Sequence, residues 1–182
     1  MKAFSKSRGN LICLLDSDDY FKKDKLKIID NKFKKENINS LYNFPKTDKI
    51  KFEFKNKNDN YIWPTIFPTS CITVSRKKFI IFKRYIQRHY YLNLEIDARL
   101  IIFFRYYLNE YNVLKKKLTI YNYDENSITA KINKYSVKWW LRRFEAFQYL
   151  KYILSKKKKK FKISLDYLIT LYFTLIIKFL KL

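Results

Sequence analysis

The stretch Leu11-Ile12-Cys13-Leu14-Leu15-Asp16-Ser17-Asp18-Asp19-Tyr20-Phe21 decides how the chain is read. Five apolar residues without alternation predict a strand covered on both faces, the pattern of a parallel sheet. Three carboxylates, Asp16, Asp18 and Asp19, follow at its C-terminal end, where ligands bind in open α/β sheets. Carboxylates one residue apart can face a single hard cation, which prefers oxygen ligands. A divalent cation held there can bridge to a diphosphate and neutralise charge on a leaving group. A plainer use is compatible with this one: Ser17 or Asp18 caps a helix running from about Lys22. An EF-hand is excluded, because Tyr20 stands where the third ligand belongs and the invariant glycine is missing.

Working outward, the residues before Leu11 are mostly polar and contain no second strand. The apolar run is too short for a signal h-region and no small-residue cleavage site follows it. A strand covered on both faces needs neighbours on both edges, so the sequence reads as starting inside a domain.

The length, 182 residues, corresponds to about one ordinary domain. With 48% hydrophobic and 19% aromatic residues there is ample material for a core, which excludes a disordered tail. Two cysteines, Cys13 and Cys71, cannot staple a chain of this length. Both fall in predicted strands, and neither is placed as a nucleophile. A single histidine, His89, argues against a His-built metal site or a Ser-His-Asp triad. The balance of 40 Lys+Arg against 16 Asp+Glu gives a formal net charge of +24. Such an excess attracts phosphates of nucleic acid, anionic lipid or nucleotide. The chain is also rich in Lys, Asn, Ile, Phe and Tyr with one Gly and three Pro. That is the imprint of AT-rich codons, so much of the Lys excess reads as drift on a solvated surface.

Arg8-Gly9-Asn10 through Asp16-Ser17-Asp18-Asp19-Tyr20, followed by Lys23-Asp24-Lys25-Leu26, resembles the middle of a family 2 glycosyltransferase. There a turn leads into a strand ending in Leu-Asp-x-Asp-Asp, followed by a short segment and a helix. The resemblance implies an α/β fold of the GT-A, Rossmann-like kind. It implies that Asp16-Ser17-Asp18 is the DxD motif. Asp18 would ligate Mg or Mn bridging the diphosphate of a nucleotide-sugar, with Asp16 near the donor ribose or the metal's water. Asp19 would support its neighbours or cap the helix. The resemblance covers residues 3–130 and implies that the nucleotide-binding first half of such a domain would precede Met1. A chain cut there would be a fragment whose central strand has become an edge.

Later segments keep the family's order. Residues 42–62 are mixed polar, with an alternating patch Ile50-Lys51-Phe52-Glu53-Phe54 that reads as a half-exposed strand. Then Thr69-Ser70 precede Arg76-Lys77-Lys78-Phe79 at the spacing of the family's Thr-Ser and Arg-Lys-x-Phe pattern. The resemblance makes Thr69 and Ser70 candidates to hydrogen-bond the acceptor sugar; shaping the start of the strand is the plainer reading. Leu100, Ile101, Phe104, Leu108 and Tyr111 recur at helical spacing, and Asp97 lies on the same face one turn earlier. A carboxylate there is either aimed at a site or satisfied by a helix end. The resemblance makes Asp97 the general base that deprotonates the acceptor hydroxyl, ahead of Glu95. Ile96 stands where the family has Glu. Arg99 reads as solvent-facing rather than as a phosphate contact. Residues 113–121 read as a strand, and residues 122–129 as a loop. In that loop Asn122 replaces the family's Arg, while Ser127 and Thr129 match.

The tail, residues 131–182, is basic and apolar by turns. Residues 134–154 predict a helix with Val137, Trp140, Leu141, Phe144 and Phe147 on one face, and Arg142 and Arg143 beside it. Five consecutive lysines, Lys156 to Lys160, precede an uncharged run from Tyr167 to Ile177. That run is shorter than a spanning helix needs. A Lys cluster beside an amphipathic apolar segment suits an anionic leaflet; packing on protein is the alternative use. The resemblance implies a metal-dependent, inverting glycosyltransferase or part of one, acting in surface polysaccharide biosynthesis. Its partners would be a nucleotide-sugar donor, a saccharide or lipid-linked acceptor and an anionic membrane surface reached through residues 156–182. Its place would be cytoplasmic, peripheral on the inner face of the membrane. The alternative is a non-catalytic basic protein binding anionic membrane or nucleic acid. Nucleic acid is disfavoured, since the aromatics fall at core spacings and no nucleic-acid motif is present.

Overall fold

A short helix α1 (Lys2–Lys6) leads into β1 (Leu11–Cys13), and the acidic turn then delivers the chain to β2 (Tyr20–Phe21) and α2 (Lys25–Glu36). Next come β3 (Ser40–Lys46), β4 (Ile72–Ser75), α3 (Arg76–Lys83), α4 (Ile96–Ile102), β5 (Val113–Ile120), α5 (Val137–Lys156) and α6 (Leu165–Phe179). The structure is a computed structural model that describes residues 2–47, 66–87, 89–122 and 132–180. The predicted strand at Ile50–Phe54 and the matches at Ser127 and Thr129 lie outside the described residues.

The class is mixed α/β. Five strands form one mixed sheet in the order β1-β4-β3-β5-β2. β4 runs antiparallel to both β1 and β3, β3 is parallel to β5, and β2 closes the far edge antiparallel to β5. The β3–β5 register shifts between Asn43 and Pro45. Pro45 has no N–H to give the ladder, and an irregularity accommodates it.

Local chemistry explains the elements. Ile29 and Phe33, four apart, bury one face of α2, which stops at Asn37 in a left-handed conformation with φ 48°; Asn is one of the few side chains that visit it readily. Ser75, Ser136 and Ser164 sit at the N-caps of α3, α5 and α6 and accept hydrogen bonds from the N–H groups of Lys78, Trp139 and Tyr167, satisfying otherwise orphaned donors. α4 runs into a π-helical turn, Phe103–Tyr107, where the Leu108 N–H reaches the Phe103 carbonyl at 3.2 Å.

One hydrophobic cluster joins the sheet to the helices. It contains Tyr42, Ile72 and Val74 from strands, Phe82, Leu100, Phe103 and Phe104 from α3, α4 and the π-turn, and Phe147, Leu150 and Ile153 from α5. The aromatics pack ring to ring: Phe103 lies 5.5 Å from Phe82 and 4.9 Å from Tyr107. Residues 137–153 of the tail thus belong to the same core as the sheet.

Three expectations are corrected. β1 is not a strand covered on both faces between parallel neighbours. It is three residues long, partly exposed, and pairs among the described residues only with antiparallel β4, which makes it an edge. The α2 helix is not capped by Ser17 or Asp18. Pairing of β2 with β5 intervenes, and Asp24 occupies the N-cap without a side-chain hydrogen bond. Arg99 is buried, not solvent-facing. Its guanidinium donates to the carbonyls of Leu94 at 2.9 Å, Ile86 at 2.8 Å and Tyr91. It pins the loop between α3 and α4.

Candidate functional site

The sheet topology gathers the candidate residues at one end. β1, β3 and β5 all finish there, and β4 and β2 begin there, because Cys13 pairs with Thr73, Tyr42 with Ile72, and Tyr20 with Ile120. β1 and β2 lie on opposite edges of the sheet. The segment from Leu14 to Asp19 must therefore cross the strand ends to connect them. That crossing carries the three carboxylates.

The turn is tied down along its length. The Asp16 N–H donates to Ser70 Oγ at 2.8 Å, and the Asp19 N–H donates to the Asp16 carbonyl at 3.2 Å. Asp19 is buried, and its Oδ1 accepts the N–H of Asn122 at 3.0 Å. Asn122 Nδ2 donates to the Asp18 carbonyl at 2.7 Å. Asn122, just beyond β5, thus clasps the acidic turn from below. The side chains of Asp16 and Asp18 are left exposed.

Beneath the turn lies a buried cation. Lys25, fully buried at the start of α2, donates from Nζ to the Ser70 carbonyl at 2.6 Å and to Thr119 Oγ1 at 2.8 Å. Its ammonium sits 3.7 Å from the centre of the Phe21 ring. Burial lowers its pKa from 10.5 to about 8, with Cys71, Cys13 and Asp19 opposing. Lys25 fixes the backbone of the Thr69-Ser70 turn, and Ser70 in turn fixes Asp16. Sequence reasoning placed Lys25 in a motif but assigned it no role. A lysine on the inward face of an amphipathic helix, four residues before Ile29 and eight before Phe33, is the signal that could have found it.

Thr69 is the meeting point. Its Oγ1 donates to Asp97 Oδ2 at 3.2 Å, and the same hydroxyl is near enough to lower the Asp16 carboxyl. A hydroxyl has one proton, so it serves one of the two carboxylates at a time. Two acids that are 81 positions apart in the sequence therefore face each other across one hydroxyl. Of the two acceptor candidates, Thr69 is partly exposed, whereas Ser70 is buried and its hydroxyl is occupied by the Asp16 N–H.

Asp97 stands in the first turn of α4, where Oδ1 accepts the N–H of Ala98 at 2.6 Å. Loss of water raises its pKa from 3.8 to about 6. The Glu95 charge adds to the rise, while the Ala98 amide, Arg142 and Thr69 oppose it. Glu95 is otherwise engaged: Arg142 of α5 holds its carboxylate at 2.7 Å. The Asp16 carboxyl is raised too, chiefly by partial loss of water, with Thr69 opposing and Asp19 and Asp18 adding. Burial likewise pushes the Cys71 thiol up to about 12, which keeps it an inert thiol.

Among the described residues no group of three or more His, Cys, Asp or Glu side chains has the geometry of a protein-built metal cage. The donor set at the strand ends is of another kind: two exposed carboxylates, with a third, Asp19, buried and leaving Oδ2 without a partner. The two exposed carboxylates are hard oxygen donors of the kind an Mg- or Mn-type ion takes, commonly one or two of them plus substrate phosphates and water. No family model matches the chain, and no curated protein or solved structure matches it.

Proposed function

We propose that this chain carries the transfer site of a GT-A type, family 2 glycosyltransferase, which moves a sugar from a nucleotide-diphosphate donor to an acceptor hydroxyl with inversion. One observation carries the reading: the Thr69 hydroxyl donates to Asp97 of α4 at 3.2 Å and also lowers the carboxyl of Asp16 in the acidic turn, so the two acids lie at one place. Convergence of a diphosphate-facing acid turn and a separate, desolvated acid is what an inverting transfer requires.

In this reading the donor's diphosphate lies against Asp18 and Asp16. Mg or Mn, when bound there, supplies the positive charge that offsets the departing diphosphate. The acceptor hydroxyl lies against Asp97. Its oxygen attacks the anomeric carbon, its proton passes to the Asp97 carboxylate, and the bond from that carbon to the diphosphate oxygen breaks. The electron pair leaves with the nucleoside diphosphate. A carboxyl raised to about 6 is still ionised at neutral pH, and is a stronger base than an ordinary aspartate. Thr69 fixes its orientation by holding Oδ2 while the Ala98 amide holds Oδ1.

The test is release of nucleoside diphosphate from a panel of UDP-, GDP- and dTDP-sugars with Mn or Mg, with and without simple saccharide acceptors. The reading predicts metal-dependent release from at least one donor, lost in Asp18→Ala. It also predicts that Asp97→Asn lowers kcat by at least 100-fold, in the range of a lost general base, with donor binding kept. Metal-independent behaviour that ignores Asp18 would leave the basic-protein alternative standing.

A further inference from the structure

The last helix is built the wrong way round for a helix that ends in water. On α6 the residues that face α5 and are buried are Tyr167, Thr170, Thr174 and Ile177. Both threonines return their hydroxyls to the helix itself, to the carbonyls of Asp166 and Thr170. The opposite side exposes Leu165, Leu168, Tyr172, Leu175 and Phe179, at 74%, 48%, 62%, 57% and 87%. These recur three and four apart, so they form one continuous stripe along the helix. Ile169 and Phe173 widen it to roughly half the helix circumference. An exposed apolar face of this extent marks an interaction surface.

Charge identifies the occupant. Lys156, Lys157, Lys158, Lys159, Lys160 and Lys162 are all exposed immediately before α6, and Lys178 is exposed near its other end. The apolar stripe is therefore preceded by a cluster of ammonium groups, within a chain of net charge +24, while the Lys178 ammonium lies over the Phe144 ring of α5. A second copy of the chain laid on this stripe would bring lysine clusters together, and like charges oppose that pairing. A surface that is apolar within and anionic at its boundary complements both features at once. α6 has 15 residues, about 22 Å of helix, against a hydrocarbon core of about 30 Å. Among the described residues no helix is long and apolar enough to cross a membrane. The helix would lie in the interface rather than span it.

A cleft of about 620 Å³ opens beside the stripe, between the start of α5 and the middle of α6. Val137, Trp139, Trp140, Ile169, Phe173 and Ile177 line it, and Trp140 stacks on Phe173 at 4.5 Å. Arg143 and Asp166 form an ion pair between the two helices. We infer that α6, together with the lysines that precede it, is a docking face for an anionic lipid bilayer. It lies flat, with the Leu165–Phe179 stripe among the acyl chains and the lysines at the headgroups. This inference does not depend on the transfer activity.

The experiment is co-sedimentation of the full chain with vesicles of phosphatidylcholine alone and of phosphatidylcholine with 30% phosphatidylglycerol. The expected result is partition onto the anionic vesicles that weakens steeply as salt is raised. Replacing Lys158, Lys159 and Lys160 by Gln should reduce it on the order of 100-fold, from about 1 kcal/mol for each Lys near such a surface. The outward triple variant Leu168→Ser, Tyr172→Ser, Leu175→Ser should reduce it similarly, with an unchanged circular dichroism melt showing that the fold survives. Equal partition onto neutral and anionic vesicles, or none onto either, overturns the inference. So does a dimer in solution that the triple variant dissociates while vesicle binding is unaffected, since the stripe would then be a protein interface.

Discussion

Replacing Asp97 by Asn should make the protein more stable while removing its proton acceptor. The carboxyl rises from 3.8 to about 6, mainly through loss of water. At about 1.36 kcal/mol per unit, the full shift corresponds to about 3 kcal/mol held against the ionised form. Part of the side chain is still open to solvent, which reduces this to about 2 kcal/mol. The folded state binds the proton more tightly than the unfolded chain. Between pH 3.8 and about 6 it therefore carries more protons, stability falls as pH rises through that window, and the whole cost is present above it. Asparagine retains an oxygen for the Ala98 N–H, now 2.6 Å from Oδ1, and offers an N–H to Thr69 Oγ1, now 3.2 Å from Oδ2. Asp97→Asn should thus gain about 2 kcal/mol at pH 7.5 and only about 0.4 kcal/mol near pH 4. Urea unfolding followed by tryptophan fluorescence at pH 4, 5.5 and 7.5 reads this directly, with Trp140 buried as the reporter. Taking the difference from wild type cancels every shared titration. A variant that is less stable at pH 7.5, or a difference that does not change with pH, would refute the reasoning.

Other perturbations have separate signatures. Lys25 is lowered from 10.5 to about 8, so between those values the unfolded chain holds the extra proton and wild-type stability should rise with pH, by about 3 kcal/mol over the whole window. Lys25→Met should abolish that rise in urea titrations between pH 7.5 and 10.5, and an identical pH slope in both proteins would contradict the burial argument. Arg99→Met strands the carbonyls of Leu94, Ile86 and Tyr91 and should cost on the order of 3 kcal/mol, with trypsin cutting near Arg84 accelerated. Unchanged proteolysis would mean that the loop is held by something else. Thr69→Val removes the hydroxyl that lowers the Asp97 carboxyl, so the acid limb of any pH–rate profile should move upward, whereas a fixed limb would show that Thr69 does not touch the base.

What the sequence disclosed was local, and what it concealed was long-range. The apolar run at Leu11, the acidic turn after it, the strand at residues 113–120 and the helices carrying Asp97 and Trp140 are visible because hydrophobic periodicity is a property of neighbouring residues. The partners of β1 are not, because the antiparallel bond to β4 links residues about 60 apart. β2 is two residues long, too short for any period to register. Arg99 reads as solvent-facing because charge usually goes there; its burial depends on the loop between α3 and α4 presenting the carbonyls of Ile86, Tyr91 and Leu94 to it. Lys25 and Asn122 are hidden for the same reason: they brace the Thr69-Ser70 turn and the acidic turn by reaching Ser70 and Asp18 across 45 and 104 positions. The outward face of α6 was legible as an apolar run but not as an inverted helix, since only packing shows that the threonines are the buried side. Asp16, Thr69 and Asp97 could each be singled out by residue type and position. Their meeting at the strand ends, with Thr69 donating to Asp97 and lowering Asp16, is a product of the fold.

The most direct test of the central claim is calorimetric titration of the folded chain with UDP, GDP and dTDP, each with and without Mn, in wild type and Asp18→Ala. The account predicts saturable one-to-one binding of at least one nucleotide that requires the metal and disappears in the variant. Binding that is indifferent to Mn and to Asp18, and that fades with salt as it would for any polyanion on a chain of this charge, would contradict it.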